Sequence, residues 1–157
     1  MSAVMPADFF PALPEEMEAR IDLHFEDVRP PDFSFDTFPA WIRSVISHHQ
    51  AKLGTLQYVF CSDDYLHQLN VEYLDHDTLT DIITFPYAPP PEVSGDLYIS
   101  LERVAENAKE LHISLETELQ RVMIHGVLHL IGYGDKTEAE AAKMRELEAE
   151  ALSLYLA

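Results

Sequence analysis

His125–Asp135 reads HGVLHLIGYGD, and the rest of the chain is arranged around it. His125 and His129 are four residues apart, so on an α-helix both rings lie on one face, one turn apart. Gly132 follows three residues later, where a glycine can adopt the left-handed conformation that ends a helix. Asp135 comes three residues further on, far enough for its carboxylate to turn back towards the histidines. The pattern H-x3-H-x2-G-x2-D offers two nitrogens and one oxygen to a single ion, Zn²⁺ by its chemistry. Three protein ligands with one position left to solvent is the catalytic zinc arrangement, whereas structural sites are closed with four.

The surroundings decide between a metal and a pair of hydrogen-bonded core histidines. Leu115, Leu119, Val122, Met123, Ile124, Val127, Leu128, Leu130 and Ile131 make this helix apolar around most of its girth, which predicts deep burial. Two polar rings on such a helix need partners, and a metal supplies one to both. The spacing is similar to the zinc-peptidase pattern H-E-x-x-H-x-x-G-x-x-H, with Asp in the last place. There a glutamate follows the first histidine as general base; here Gly126 stands in that position and cannot take a proton. Peptide hydrolysis is therefore a minor alternative.

Outward from this stretch the chain alternates helix and strand patterns. Residues 1–19, with three prolines and several acids, read as a poorly ordered lead. Arg20–Glu26 alternates with Ile21, Leu23 and Phe25 on one side, a half-buried strand. Asp36 is placed to cap a helix running to about Lys52, with Phe38, Trp41, Ile42, Val45 and Ile46 inward. Near its end His48 and His49 suit a solvated or dipole role. Gly54 ends that helix, and Thr55–Cys61 reads as a strand.

Ser62 then caps a short helix with Leu66, Leu69 and Tyr73 inward. Thr80–Tyr87, TDIITFPY, is a β-branched and aromatic strand. Ala88–Val93, APPPEV, is an exposed loop, because proline removes ladder donors. Ser94–Ser100 is a further strand, with Gly95 marking a bulge or close backbone approach. A helix follows from about Leu101 to Leu111, with Val104, Ala105 and Ala108 inward. Ser114 caps the histidine helix, with Glu116 and Glu118 near its positive end. Thr137 caps a last helix whose acids form a solvated face while Met144, Leu147, Ala151 and Leu154 pack inward. The fold class is α+β: a single domain over 1–157, with a mixed sheet of about four strands, helices packed on it and the metal-ligand helix buried at the centre.

The chain has 157 residues, 47% of them hydrophobic, which suits one globular domain. No apolar run approaches a membrane span, and the N-terminus lacks the basic start and apolar core of a signal peptide. Cys61 is the only cysteine, so no intrachain disulfide forms, and it reads as a small apolar strand residue. A cytoplasmic location follows as an expectation. The formal net charge of −18, from 28 acids against 10 Lys and Arg, argues against broad nucleic-acid binding and against DNA. A local cleft with a metal at its floor remains compatible with it.

Three stretches together resemble the YbeY family of bacterial rRNA-maturation endoribonucleases: LNVEYLDHDTLTDIITFPY (Leu69–Tyr87), GDLYIS (Gly95–Ser100) and the histidine stretch itself. The resemblance implies one α+β domain, one bound metal, usually zinc, and hydrolysis of single-stranded RNA. It implies a role in 16S rRNA 3′-end maturation and ribosome quality control, with single-stranded rRNA and the small ribosomal subunit as partners. Two positions depart from the family pattern. The family's third ligand is histidine and here it is Asp135, a harder donor that admits Mn or Mg more readily. The family has an arginine where this chain has Leu74, which cannot hold a phosphate bidentately.

No dedicated general base is visible. His76 can hydrogen-bond a phosphate or be an exposed loop histidine. Tyr133 can donate to a transition-state oxygen or pack the turn. Lys136 is the nearest cation along the chain, with plain solvent exposure as its alternative. Asp77 and Asp81 can orient RNA hydroxyls, receive a proton, or cap turns. Thr84, Phe85 and Tyr87 can line a groove and stack a base, though Phe85 suits the core. Arg121, one turn before His125, faces either the site or solvent. A non-catalytic ribosome-assembly factor with a structural metal is the alternative of a different class.

Overall fold

The alternation of Ile21, Leu23 and Phe25 produces a strand, and the β-branched run Ile82–Thr84 produces another, as their periodicity demands. The computed structural model describes residues 2–4, 19–74 and 80–156. In order these form β1 (Ser2–Val4), β2 (Arg20–Phe25), α1 (Phe38–His48), β3 (Lys52–Cys61) and α2 (Asp63–Leu74). Then come β4 (Ile82–Pro86), β5 (Glu92–Ser100), α3 (Leu101–Leu111), α4 (Leu115–Ile131) and α5 (Glu138–Leu156). The strands make one mixed sheet of order β1-β4-β5-β3-β2, with β4 antiparallel to β5 and the other neighbouring pairs parallel. The four strands expected from the sequence are all present. Ser2–Val4 add a short fifth along the free side of β4, and the remainder of the lead, 5–18, lies outside the described residues.

The core lies between one sheet face and helices α1, α3, α4 and α5. Leu56, Tyr58, Phe60, Leu97 and Ile99 point from the sheet into it and meet Trp41, Val45, Met123, Val127 and Met144. The opposite face carries α2 over a smaller cluster of Cys61, Leu66, Ile83 and Phe85. Helix α4 sits in the middle, against β4, β5, α1, α3 and α5. Its start is capped as the sequence predicts: the Thr117 N–H donates to Ser114 Oγ at 3.1 Å. Helix α5 opens on a reciprocal pair, with the Glu140 N–H on Thr137 Oγ1 at 3.1 Å and the Thr137 N–H on Glu140 Oε1 at 3.0 Å.

Four sequence expectations are corrected. Asp36 is not the cap of α1. Thr37 holds that position without a side-chain cap bond, and Pro39, in the first turn, starts the helix through its fixed φ. Gly54 does not end α1, which stops at His48, and the chain turns at Gln50 with φ 56°. β3 therefore begins at Lys52, paired with Glu92, and Gly54 sits where the β3–β5 register shifts. A Cβ there would come within 1.8 Å of Ser94 Oγ. The same pairing starts β5 at Glu92 and shortens the proline loop. Tyr73, expected inward, is 44% exposed, its ring edge-on to Phe85 at 6.0 Å.

Candidate metal centre

Helix α4 carries the site because its polar residues share one side: Glu118, Arg121, His125 and His129 follow at helical spacing. The helix stops at Gly132, whose φ of 127° is open to glycine and strained for other residues. The Tyr133 N–H then returns to Leu128 O at 3.0 Å, and this turn delivers Asp135. His125 Nε2 lies 3.0 Å from His129 Nε2, while Asp135 Oδ2 lies 3.3 Å from the first and 3.5 Å from the second.

The outer nitrogens define which atoms face inward. His129 Nδ1 is 2.9 Å from Tyr133 O, and a carbonyl only accepts, so Nδ1 carries the proton. His125 Nδ1 is 2.5 Å from Glu148 Oε2, and a carboxylate likewise accepts. In the neutral rings both Nε2 atoms then present lone pairs to each other and to the Asp135 carboxylate. Three acceptors converging this closely repel unless a cation lies between them. Donors about 2.1 Å from a tetrahedral zinc would be about 3.4 Å apart, close to the observed separations. The donor set fits a divalent ion, and the carboxylate widens the choice beyond zinc.

Around these atoms the charge is mostly negative. Arg121 donates to both oxygens of Glu118 at 2.8 and 2.7 Å and to Glu148 Oε1 at 3.3 Å. Its Nη2 also stands 3.9 Å from Asp81 Oδ2. Glu118 is 0% exposed and Glu148 4%. Hydrogen bonding to Glu118 holds Arg121 above its ordinary pKa. Burial, with the neighbouring His125, lowers His129, which favours the neutral ring that a metal needs. Burial raises Asp81, opposed by the Arg121 charge. Asp81, Arg121, Val122, His125 and Asp135 line a common cleft.

The structure brings together His125, His129, Asp135, Arg121 and Asp81. Lys136 is exposed on the following turn. The Tyr133 hydroxyl is 3.3 Å from His49 Nδ1, and its ring packs on the core. His48, at the end of α1, meets Glu150 Oε1 at 3.0 Å. Thr84 and Phe85 are buried core residues, and the Tyr87 hydroxyl donates to Asp96 Oδ2 at 2.5 Å. Leu74 packs on the smaller core cluster. His76 and Asp77 lie outside the described residues.

Two residues of the site escape the sequence reading. Glu118 is taken there only as a dipole partner and Glu148 as part of a solvated face, and both are buried. The signal was their spacing. Glu118 lies seven residues before His125 on the same helical face, and Glu148 falls within the inward stripe of Met144, Leu147 and Ala151.

The family model described as Endoribonuclease YbeY matches residues 27–155. A protein named Endoribonuclease YbeY from Flavobacterium johnsoniae is 48% identical over 127 residues, 79% of this chain and 91% of that protein. Another of that name from Flavobacterium psychrophilum is 50% identical over 115 residues, 73% of this chain and 82% of its own length. A solution structure of a Thermotoga maritima protein superposes with a TM-score of 0.65 at 25% identity, covering 87% of this chain and 89% of that one.

Proposed function

The chain belongs to the Endoribonuclease YbeY family, and from that premise we propose that it hydrolyses phosphodiester bonds of single-stranded RNA at the cleft beside His125. We place it in 16S rRNA 3′-end maturation and ribosome quality control, acting as one domain in the cytoplasm on rRNA of the small ribosomal subunit. His125, His129 and Asp135 would hold one divalent ion, zinc by its donor set. The observation that carries this reading is the convergence of three lone-pair atoms within 3.5 Å of one another.

A bound divalent ion supplies Lewis acidity and lowers the pKa of a water. The chain's own groups do the rest. Tyr133 O orients the His129 ring, and the turn after Gly132 presents Asp135. Arg121 lines the cleft and brings positive charge beside the place of a phosphate. Its carboxylate partners more than offset that charge, so phosphate attraction at this centre rests on the ion. Lys136, on the exposed turn, is a cation available to an approaching backbone. The apolar Leu74 makes no contribution of this kind.

The test is cleavage of a labelled single-stranded RNA by the purified chain, before and after chelation and metal return, with His125→Ala alongside. Cleavage that disappears on chelation, returns with zinc or manganese, and is absent in H125A supports the proposal. Tight RNA binding without cleavage under any metal would replace it with the assembly-factor reading.

A further inference from the structure

The carboxylate of Glu148 reaches His125 from a helix that contributes no ligand. Glu148 lies on α5 between Leu147 and Ala151, both buried, at a position a leucine could fill. Burying a carboxylate costs several kcal/mol unless its partners offset that cost. Both of its oxygens are engaged: Oε2 with His125 Nδ1 at 2.5 Å and Oε1 with Arg121 Nη1 at 3.3 Å. Arg121 is itself held by the two oxygens of the fully buried Glu118. Three carboxylates, those of Glu118, Glu148 and Asp81, surround one guanidinium. The excess negative charge lies directly behind the imidazole of His125.

We propose that Glu148 is a positioning residue for the metal centre: it fixes His125 with the proton on Nδ1 and the Nε2 lone pair towards Asp135 and His129, and so strengthens divalent-cation binding. A carboxylate on the outer nitrogen of a ligand histidine does three things. It selects the tautomer, stops the ring from turning, and makes the inner nitrogen a better donor. Arg121 and Glu118 keep the Glu148 carboxylate aimed. The fold thereby ties α5 to the chemistry of α4, although the ligands all come from α4 and the turn that follows it. This inference rests on the metal-centre reading and adds to it a named residue outside the ligand set.

A purely structural role for Glu148, bracing α5 against Arg121, makes a different prediction, and metal affinity separates the two. Zinc dissociation constants are measured by competition with a chromophoric chelator for wild type, Glu148→Gln and Glu148→Ala. Thermal unfolding of the chelator-treated proteins runs in parallel, and Co²⁺ absorption reports the coordination. Loss of such a partner weakens metal binding about 10–100-fold. That weakening is expected for E148A, with a changed Co²⁺ spectrum. E148Q keeps an oxygen acceptor without the charge and falls between E148A and wild type. Wild-type zinc affinity and Co²⁺ spectrum in E148Q would overturn the proposal, even if its melting temperature falls. If E148A does not fold, E148Q alone decides. A wild-type protein that binds neither zinc nor cobalt would overturn the metal-centre reading, and this proposal with it.

Discussion

Gly126 stands so close to Leu97 that a Cβ at this position would lie 2.9 Å from Leu97 Cδ1, and equally close to Ile82 Cδ1. The residue after the first histidine therefore faces the sheet. A glutamate there would have to displace both side chains and would point into the sheet, away from the metal ligands, so the absence of the peptidase base fits how closely α4 lies on β4 and β5. Gly126→Ala gains helix propensity but overpacks this contact. Overpacking costs about 1–3 kcal/mol and the helix gain returns about 1 kcal/mol, so a net loss of up to about 2 kcal/mol is expected, read from urea melts at unchanged slope. A stabilised G126A protein would show that the helix can lift at no cost.

Glu118 is fully buried and accepts two short bonds, 2.8 and 2.7 Å, from the part-exposed Arg121. Removing Arg121 leaves the buried Glu118 carboxylate without its cation, at a cost of about 3–5 kcal/mol, whereas Arg121 without Glu118 still keeps Glu148 and Asp81. Arg121→Ala should lose stability on this scale, and Glu118→Ala less. Glu146→Ala breaks the exposed pair with Lys143, whose side chains are 75% and 59% exposed, and should change stability by at most about 1 kcal/mol. Equal effects in chemical denaturation would contradict the burial argument.

Glu118 also marks where the sequence could not be read. The histidine helix, its Ser114 cap and the Gly132 stop were readable because each rests on local spacing. So were Thr80–Tyr87 as a strand and the Asp135 return. Glu118 and Glu148 were not, because the acids of each helix look solvated until α4 and α5 are packed together. Asp36 and Gly54 failed for another reason. Both carry strong local signals, yet Pro39 started α1 later and the pairing of Lys52 with Glu92 claimed Gly54 for a strand. The resemblance leads one to expect an arginine where Leu74 stands, and the structure adds that Leu74 packs against a core cluster.

Ligand binding to the native state alone raises its stability by RT ln(1 + [L]/Kd), about 2.7 kcal/mol when the ligand is a hundredfold above Kd. Zinc or manganese added to chelator-treated protein should therefore raise the melting temperature in a concentration-dependent way. His129→Ala and Asp135→Ala should abolish or strongly reduce that rise. Asp135→His, which supplies a softer donor, should keep it and shift preference from manganese towards zinc. An undiminished rise in the Asp135→Ala protein would remove that residue from the ligand set.

Cys61 is buried in β3, and burial pushes its thiol up to about 12. The thiolate is the reactive form, so the native protein should resist an aromatic disulfide reagent at pH 8 and react once denatured. Rapid stoichiometric labelling of the folded chain would mean that the α2 side of the sheet opens.

The imidazoles set the pH response of the metal-free fold. His129 and His49 are both lowered from 6.5, chiefly by burial, so each is neutral in the folded chain at pH values where the unfolded chain is protonated. The unfolded state then binds more protons between the folded value and 6.5, and stability falls as pH falls through that window. Asp81 and Asp96 act in the opposite sense: burial raises them, so their ionisation opposes folding and acidification relieves it. A difference measurement isolates one imidazole from these. In chelator, wild type minus His129→Gln should lose stability between pH 7.5 and 5.5, by up to about 1.4 kcal/mol per pH unit. Saturating metal should deepen the loss for wild type, because protons compete with the ion for the same nitrogens. A difference that stays flat in chelator would mean that His129 titrates as it does in the unfolded chain. The neutral ring on which the converging lone pairs depend would then not be built into the fold.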